Sequence, residues 1–137
     1  MLKLIRLNDT ATGVPDIVDC AMKPAVCISH GEAYTLSVDG LTDEISYKVP
    51  IFVACEAHPS IEEGEHAVVK CFKVMPGMEF ETACHTESLY QIDKGMLVDL
   101  SIEDGATVVK KAVEGGQFIV SDLMCVYNDR ILRVKAI

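Results

Sequence analysis

No apolar run in this sequence approaches the roughly 20 residues that a membrane helix requires. The opening residues, Met1 to Asp9, lack the longer apolar core and small-residue cleavage site of a secretory signal. Cys-x-x-Cys, Gly-x-Ser-x-Gly, a phosphate-binding glycine loop and a dinucleotide fingerprint are all missing. These gaps set aside a helical membrane span, thioredoxin-like redox chemistry and the commonest hydrolase and nucleotide-binding classes. Basic residues are scarce, 12 Lys and Arg against 21 Asp and Glu, for a net charge of −9. A field of that sign repels phosphates, so direct nucleic-acid binding needs a local basic patch. The nearest candidate, Arg130 to Lys135, alternates charge with apolar residues in the manner of a strand with a wet basic face. Sustained helical periodicity, internal repeats, low-complexity segments and linkers are absent as well.

What remains is strand patterning. Half of the 137 residues are hydrophobic, enough to argue against disorder and for one domain with its own core. The clearest statement runs from Gln91 to Val120. Met96, Val98, Leu100 and Ile102 alternate with Leu97, Asp99, Ser101 and Glu103, which is the period of a strand with one buried face. Glu103-Asp104-Gly105 supplies a tight reversal, Thr107 to Val113 a second strand, Gly115-Gly116 a second turn and Gln117 to Val120 a third strand. Strand, turn, strand, turn, strand is an antiparallel meander.

Elsewhere the same reading gives a strand or arm over Met1 to Leu7, broken by Asn8 to Asp16, and a single helical turn over Ile17 to Met22. Ala25 to Ser29 reads as a buried strand or core crossing. Strands are expected at Tyr34 to Val38, closed by Asp39-Gly40, and at Ile45 to Val49, interrupted by Pro50. Ile51 to Cys55, Ala67 to Met75 and Met78 to Glu81 follow, with a polar exposed loop at His58 to Glu65 and a turn at Pro76-Gly77. Leu123 to Tyr127 and Ile131 to Ile137 close the chain around Asn128-Asp129. This predicts an all-β protein: a single compact antiparallel β-barrel or β-sandwich with little helix, residues 17–137, preceded by an N-terminal arm and loop at residues 1–16.

Few constellations carry chemistry. Two Cys-x-x-His units, Cys27 to His30 and Cys55 to His58, have the ligand types of a zinc tetrahedron, and Cys84-His85 adds a further pair. Each Cys nevertheless ends an apolar run, so the six cysteines read as reduced core thiols of a cytoplasmic chain beside surface imidazoles. Met75, Met78 and Met96 read as gap-filling core residues. Glu62, Glu63, Glu65, Glu79, Glu81, Asp99, Glu103 and Asp104 fall in turns or on wet strand positions, and no acid–base pair is marked among them. Ala21-Met22-Lys23 has the letters of a biotin-attachment turn, but Pro24 follows directly and too little chain precedes it. No catalytic residue, metal ligand or cofactor is therefore assigned.

The order Val74 to Glu81, Gly95 to Val98, the Asp104-Gly105 turn, Gly115 to Val120 and Leu132 to Val134 resembles small all-β capsid decoration, or cement, proteins of tailed bacteriophages. The resemblance covers mainly Ala67 to Ile137. It implies a non-enzymatic structural protein of the virion, made in the host cytoplasm, that binds the outer surface of an assembled capsid through the major capsid protein. It further implies a homo-oligomer, a trimer in many such proteins, with no membrane and no direct nucleic-acid contact. In the residues, the Met1 to Leu7 arm offers Leu2, Leu4 and Ile5 as partner contacts through added-strand pairing. The alternative is a small cytoplasmic β-barrel that binds a metal or ligand through its Cys/His pairs.

Overall fold

The computed structural model describes residues 1–8, 13–45, 49–83, 92–112, 115–126 and 129–137. Among them are eleven strands and no helix, so the all-β expectation holds. In chain order they are β1 (Leu2–Arg6), β2 (Ile17–Ala21), β3 (Ala33–Ser37), β4 (Gly40–Thr42), β5 (Ile51–Ala54) and β6 (Val68–Lys73). β7 (Glu79–Ala83), β8 (Leu97–Glu103), β9 (Ala106–Lys111), β10 (Phe118–Val126) and β11 (Asp129–Ala136) complete the set. They form two antiparallel sheets, six strands in the order β1-β7-β11-β10-β8-β9 and five in the order β2-β6-β5-β3-β4.

The β8–β9 hairpin is present as read, but the three strands do not form a meander, because β10 pairs with β8 and not with β9. β8 lies between β9 and β10, and Val98 and Leu100 point inward while Leu97 and Glu103 face solvent. Asp104 and Gly105 occupy the hairpin tip with φ of 51° and 77°, the two positive angles that a two-residue turn between twisted strands requires. The two runs expected at Gln117 to Val120 and Leu123 to Tyr127 fall in one strand, β10 (Phe118–Val126), whose register slips between Val120 and Asp122; Tyr127 lies outside the described residues. A bulge there shifts the alternation by one residue, so the pattern reads as two strands.

Three further expectations are corrected. Ile17 to Ala21 is a strand, not a helical turn: it pairs with β6 from Ile17–Phe72 to Ala21–Val68, which five residues of mixed pattern do not disclose. Of the two readings of Ala25 to Ser29, the crossing is the one present, with one bridge, at Ile28 with His58. The β3–β4 hairpin turns at Val38-Asp39, and Gly40 already belongs to β4. Met1 to Leu7 is not a free arm. Leu2 to Arg6 pair with β7, and the Leu2 side chain is buried. Within the expected Ile45 to Val49 strand, residues 46–48 lie outside the described residues, and Ile45 and Val49 themselves are not in a strand.

Two cores hold the sheets. The main one fills the space between them. Phe80 and Phe118 of the large sheet meet edge-to-face, and Phe80 stacks on Phe72 of the small sheet at a centroid separation of 6.2 Å. Such ring pairs add about 0.5–1.5 kcal/mol beyond the area they bury. The second core lies on the other face of the small sheet, where Cys20, Val69, Cys71, Tyr34 and Leu41 are covered by Ile28 and Ile61 from the crossing loops. The small sheet curls around it until its edge strands touch at the parallel Met22–Leu41 bridge, a half-barrel with its seam at β2 and β4. Gly40 sits in that seam at a φ of 121°. A Cβ there would lie 2.6 Å from the Lys23 nitrogen and the Met22 carbonyl carbon.

Candidate functional site

The two Cys-x-x-His units do come together, but through their backbones. Ile28 and His58 exchange both N–H···O bonds at 2.9 Å, which ties the crossing loop to the loop after β5. Tyr34 holds the first loop from below: its hydroxyl accepts from the Ser29 amide at 2.8 Å and donates to the Cys27 carbonyl at 3.5 Å. The inward position in this loop belongs to Ile28, so Cys27 is exposed, against the expectation of a core thiol. The Cys27 thiol faces the His58 carbonyl at 3.8 Å, and His58 Nδ1 lies 2.7 Å from the Pro59 carbonyl. Cys55 is partly buried against the main core, with its thiol donating to the Val53 carbonyl at 3.9 Å. Among the described residues no group of three or more His, Cys, Asp or Glu side chains is placed to share a metal ion. Cys84 and His85 lie outside the described residues.

The thiols are poorly disposed to act as nucleophiles. Burial pushes Cys55 above its ordinary value, and the adjacent Glu56 carboxylate pushes it further. Burial raises Cys20 and Cys71 as well, the second most of all. These groups are thiols at neutral pH, and the thiolate is the reactive form. The carboxylates named from the sequence are engaged singly: Glu103 with Lys110 at 2.6 Å, Glu81 with Arg133 at 3.6 Å, Asp99 accepting from the Gln117 amide at 3.2 Å. Arg133 on β11 thus faces a carboxylate of β7 from a half-buried position.

The carboxylate that sequence reading passed over is Glu32, which is 7% exposed. It precedes β3, and no alternation or motif marks it. Its oxygens meet the Met1 ammonium at 3.1 Å and the Thr107 amide of β9 at 2.5 Å. The Thr107 hydroxyl in turn accepts from the Ala33 amide at 2.9 Å. Residues 32 and 33 therefore bind both edges of the six-stranded sheet, β1 and β9.

Of the partner contacts expected from the sequence, Leu2 is buried in the chain's own core, while Leu4 and Ile5 are half-buried. What β1 offers a partner is its backbone. The Leu2 amide points away from β7 and bonds the Gly31 carbonyl at 2.7 Å. By strand alternation the Leu4 amide points the same way. Among the described residues no strand pairs with that outer edge. Beside it opens a pocket of about 270 Å³ between the sheets, lined by Leu2, Leu4, Val53, Cys55 and Phe72 and rimmed by Lys3 and His30. One residue from each Cys-x-x-His unit thus reaches the same apolar pocket. An open strand edge beside an apolar pocket provides what added-strand recognition uses: main-chain bonds for affinity and a hole for a side chain.

No helix of the described residues is long and apolar enough to cross a membrane. Comparison of the chain with protein-family models, with curated proteins and with solved structures gave no match.

Proposed function

We propose that the protein is a non-enzymatic structural protein that binds and stabilises the outer surface of a phage capsid, pairing the free edge of β1 with a strand of the major capsid protein. The observation that carries this reading is the open β1 edge beside its apolar pocket. The resemblance over Ala67 to Ile137 names the kind of partner. Lys3 and Arg6 give this edge positive charge in a chain of net charge −9. Like charges set directly opposite one another destabilise strand pairs, so the edge disfavours a second β1 and favours a partner strand carrying carboxylates. Several copies on one shell would bind more strongly than a single edge.

The test is co-sedimentation of the purified protein with empty capsids of the phage whose coat gene neighbours its reading frame. Stoichiometric binding is expected, along with a rise in the temperature at which the shell falls apart. A protein that stays in the supernatant at every ratio would remove the capsid reading.

A further inference from the structure

We infer that a second copy of this chain pairs with the first through β2 and the apolar groove beside it, giving a two-fold dimer. This contact is independent of the capsid-binding proposal, because β2 is an edge of the other sheet.

Three of the four sheet edges are blunted in the ways that keep edges from pairing with copies of themselves. β1 carries Lys3 and Arg6. β9 ends in Lys110 and Lys111 and gives the Thr107 amide to Glu32. β4 has three residues and is closed against Met22 at the seam. β2 is different. Its sequence, Ile-Val-Asp-Cys-Ala, contains no Lys, Arg or Pro, and its one charge, Asp19, is paired with Lys70 of the neighbouring strand at 3.4 Å. Ile17 and Val18 are exposed on successive positions, hence on both faces of the strand, at 44% and 42%.

Next to this edge is a groove of about 420 Å³ walled by Leu7, Val14, Val18, Met75 and Met78. Val14 and Met75 are exposed at 81% and 48%, although the sequence read Met75 as core. An apolar patch that continues from an unguarded strand edge marks an interaction surface. Charge selects the occupant. Asp16 and Lys73 flank the groove, and neither has an ion pair among the described residues. One acid and one base leave the groove locally neutral on a chain of net charge −9. A second copy, repelled elsewhere by its own charge, meets no repulsion here. A two-fold axis through the groove sets Asp16 of one copy against Lys73 of the other, twice. One acid and one base on one apolar patch is a self-complementary arrangement.

Sedimentation equilibrium of the full chain over a dilution series tests the contact. The expected species is a dimer, twice the 15.0 kDa chain mass, in exchange with monomer. Val18→Lys places a charge on the edge and should weaken dimerisation about tenfold or more, while Val38→Lys, at the fully exposed β3–β4 turn, should leave it unchanged. Asp16→Lys and Lys73→Asp should each weaken it, and the double variant should restore it. Both residues are exposed, so these variants keep the test open even where Val18→Lys perturbs folding. A chain that stays monomeric at every concentration, a trimer as the limiting mass, or a double variant no better than either single change would overturn the proposal.

Discussion

The Glu32 carboxylate joins the Met1 ammonium to the Thr107 amide, and so ties together the first and last strands of the six-stranded sheet. The two contacts differ in weight. The Met1 end of the ion pair is 60% exposed, so solvent screening leaves that contact worth roughly 1 kcal/mol at most. Thr107 is 1% exposed, and its amide has lost water on that side of the strand.

Glu32→Ala should therefore destabilise the protein by about 1–3 kcal/mol, chiefly by leaving the Thr107 amide without an acceptor. Glu32→Gln keeps an oxygen for that amide and removes the charge, so its cost should be the smaller. Urea unfolding of the three proteins measures the order. Equal losses for Ala and Gln would mean that the charge, and not the amide bond, does the stabilising.

Gly40→Ala and Gly105→Ala separate conformational strain from steric overlap. Both residues have positive φ, which costs an L-residue about 1 kcal/mol or more. Around Gly105 a Cβ has open space, whereas at Gly40 it would strike the backbone at Met22 and Lys23. Gly40→Ala should be clearly the worse, with the β2–β4 seam opening first. Hydrogen exchange at Met22 and Leu41 reports the seam, and the denaturation midpoint reports the total.

These two residues also mark where the sequence was readable. Alternation at Val98 and Leu100 and the Asp104-Gly105 tip are local properties, so the β8–β9 hairpin could be read directly, while the pairing of β10 with β8 could not. The partners of Glu32 lie 75 residues away at Thr107 and at the chain start, and nothing local foreshadows that. β2 failed for the same reason. Only Cys20 of its five side chains is buried, so its strand character comes from pairing with β6 about fifty residues on. At the candidate site the segment Met1 to Leu7 was legible as strand-forming, but Leu2 was taken for a partner contact. Whether an apolar strand residue faces its own core or a partner depends on the strand across from it, and β7 is more than seventy residues away.

Cysteine labelling should follow burial. With iodoacetamide at neutral pH and mass-spectrometric mapping, Cys27 should react first among Cys20, Cys27, Cys55 and Cys71, with Cys55 slower. Cys20 and Cys71 should react only on unfolding, since both are almost fully enclosed in the second core. Early modification of Cys71 would mean that this core opens in the native state.

Raised thiol values make stability fall at alkaline pH. In the unfolded chain Cys20, Cys55 and Cys71 titrate near 9.0, while burial holds the folded groups protonated above that. Above the unfolded value the unfolded chain binds fewer protons than the folded one, so the free energy of unfolding declines as pH rises. Their contribution is fully present below pH 9.0 and is lost progressively above it. Tyr34, raised from 10.0 by burial, extends the decline. Urea midpoints between about pH 8 and about pH 10 should fall, and Cys71→Val should flatten the slope by removing the most shifted group. An unchanged slope in that variant would assign the decline to other residues.

The place of β1 in the sheet decides how capsid binding has to be tested. Deleting Met1 to Leu7 would remove the strand that covers β7, the buried Leu2 side chain and the Glu32 ion pair together. Leu2 alone is worth about 1.5–3 kcal/mol of burial. The truncated protein should therefore lose stability, and its failure to bind would say nothing about the edge. Leu4→Pro is the sharper change. The Leu4 amide points away from β7, so proline removes one donor from the outer edge and leaves the β7 ladder its bonds. The lost Leu4 packing against the main core should lower stability moderately, while the circular dichroism spectrum stays that of a β protein. Leu4→Ala carries a similar packing loss and keeps the amide, so it is the control. Binding to empty capsids that survives in Leu4→Ala and disappears in Leu4→Pro would locate the contact on the β1 backbone. Equal binding by both would place the capsid contact elsewhere on the molecule.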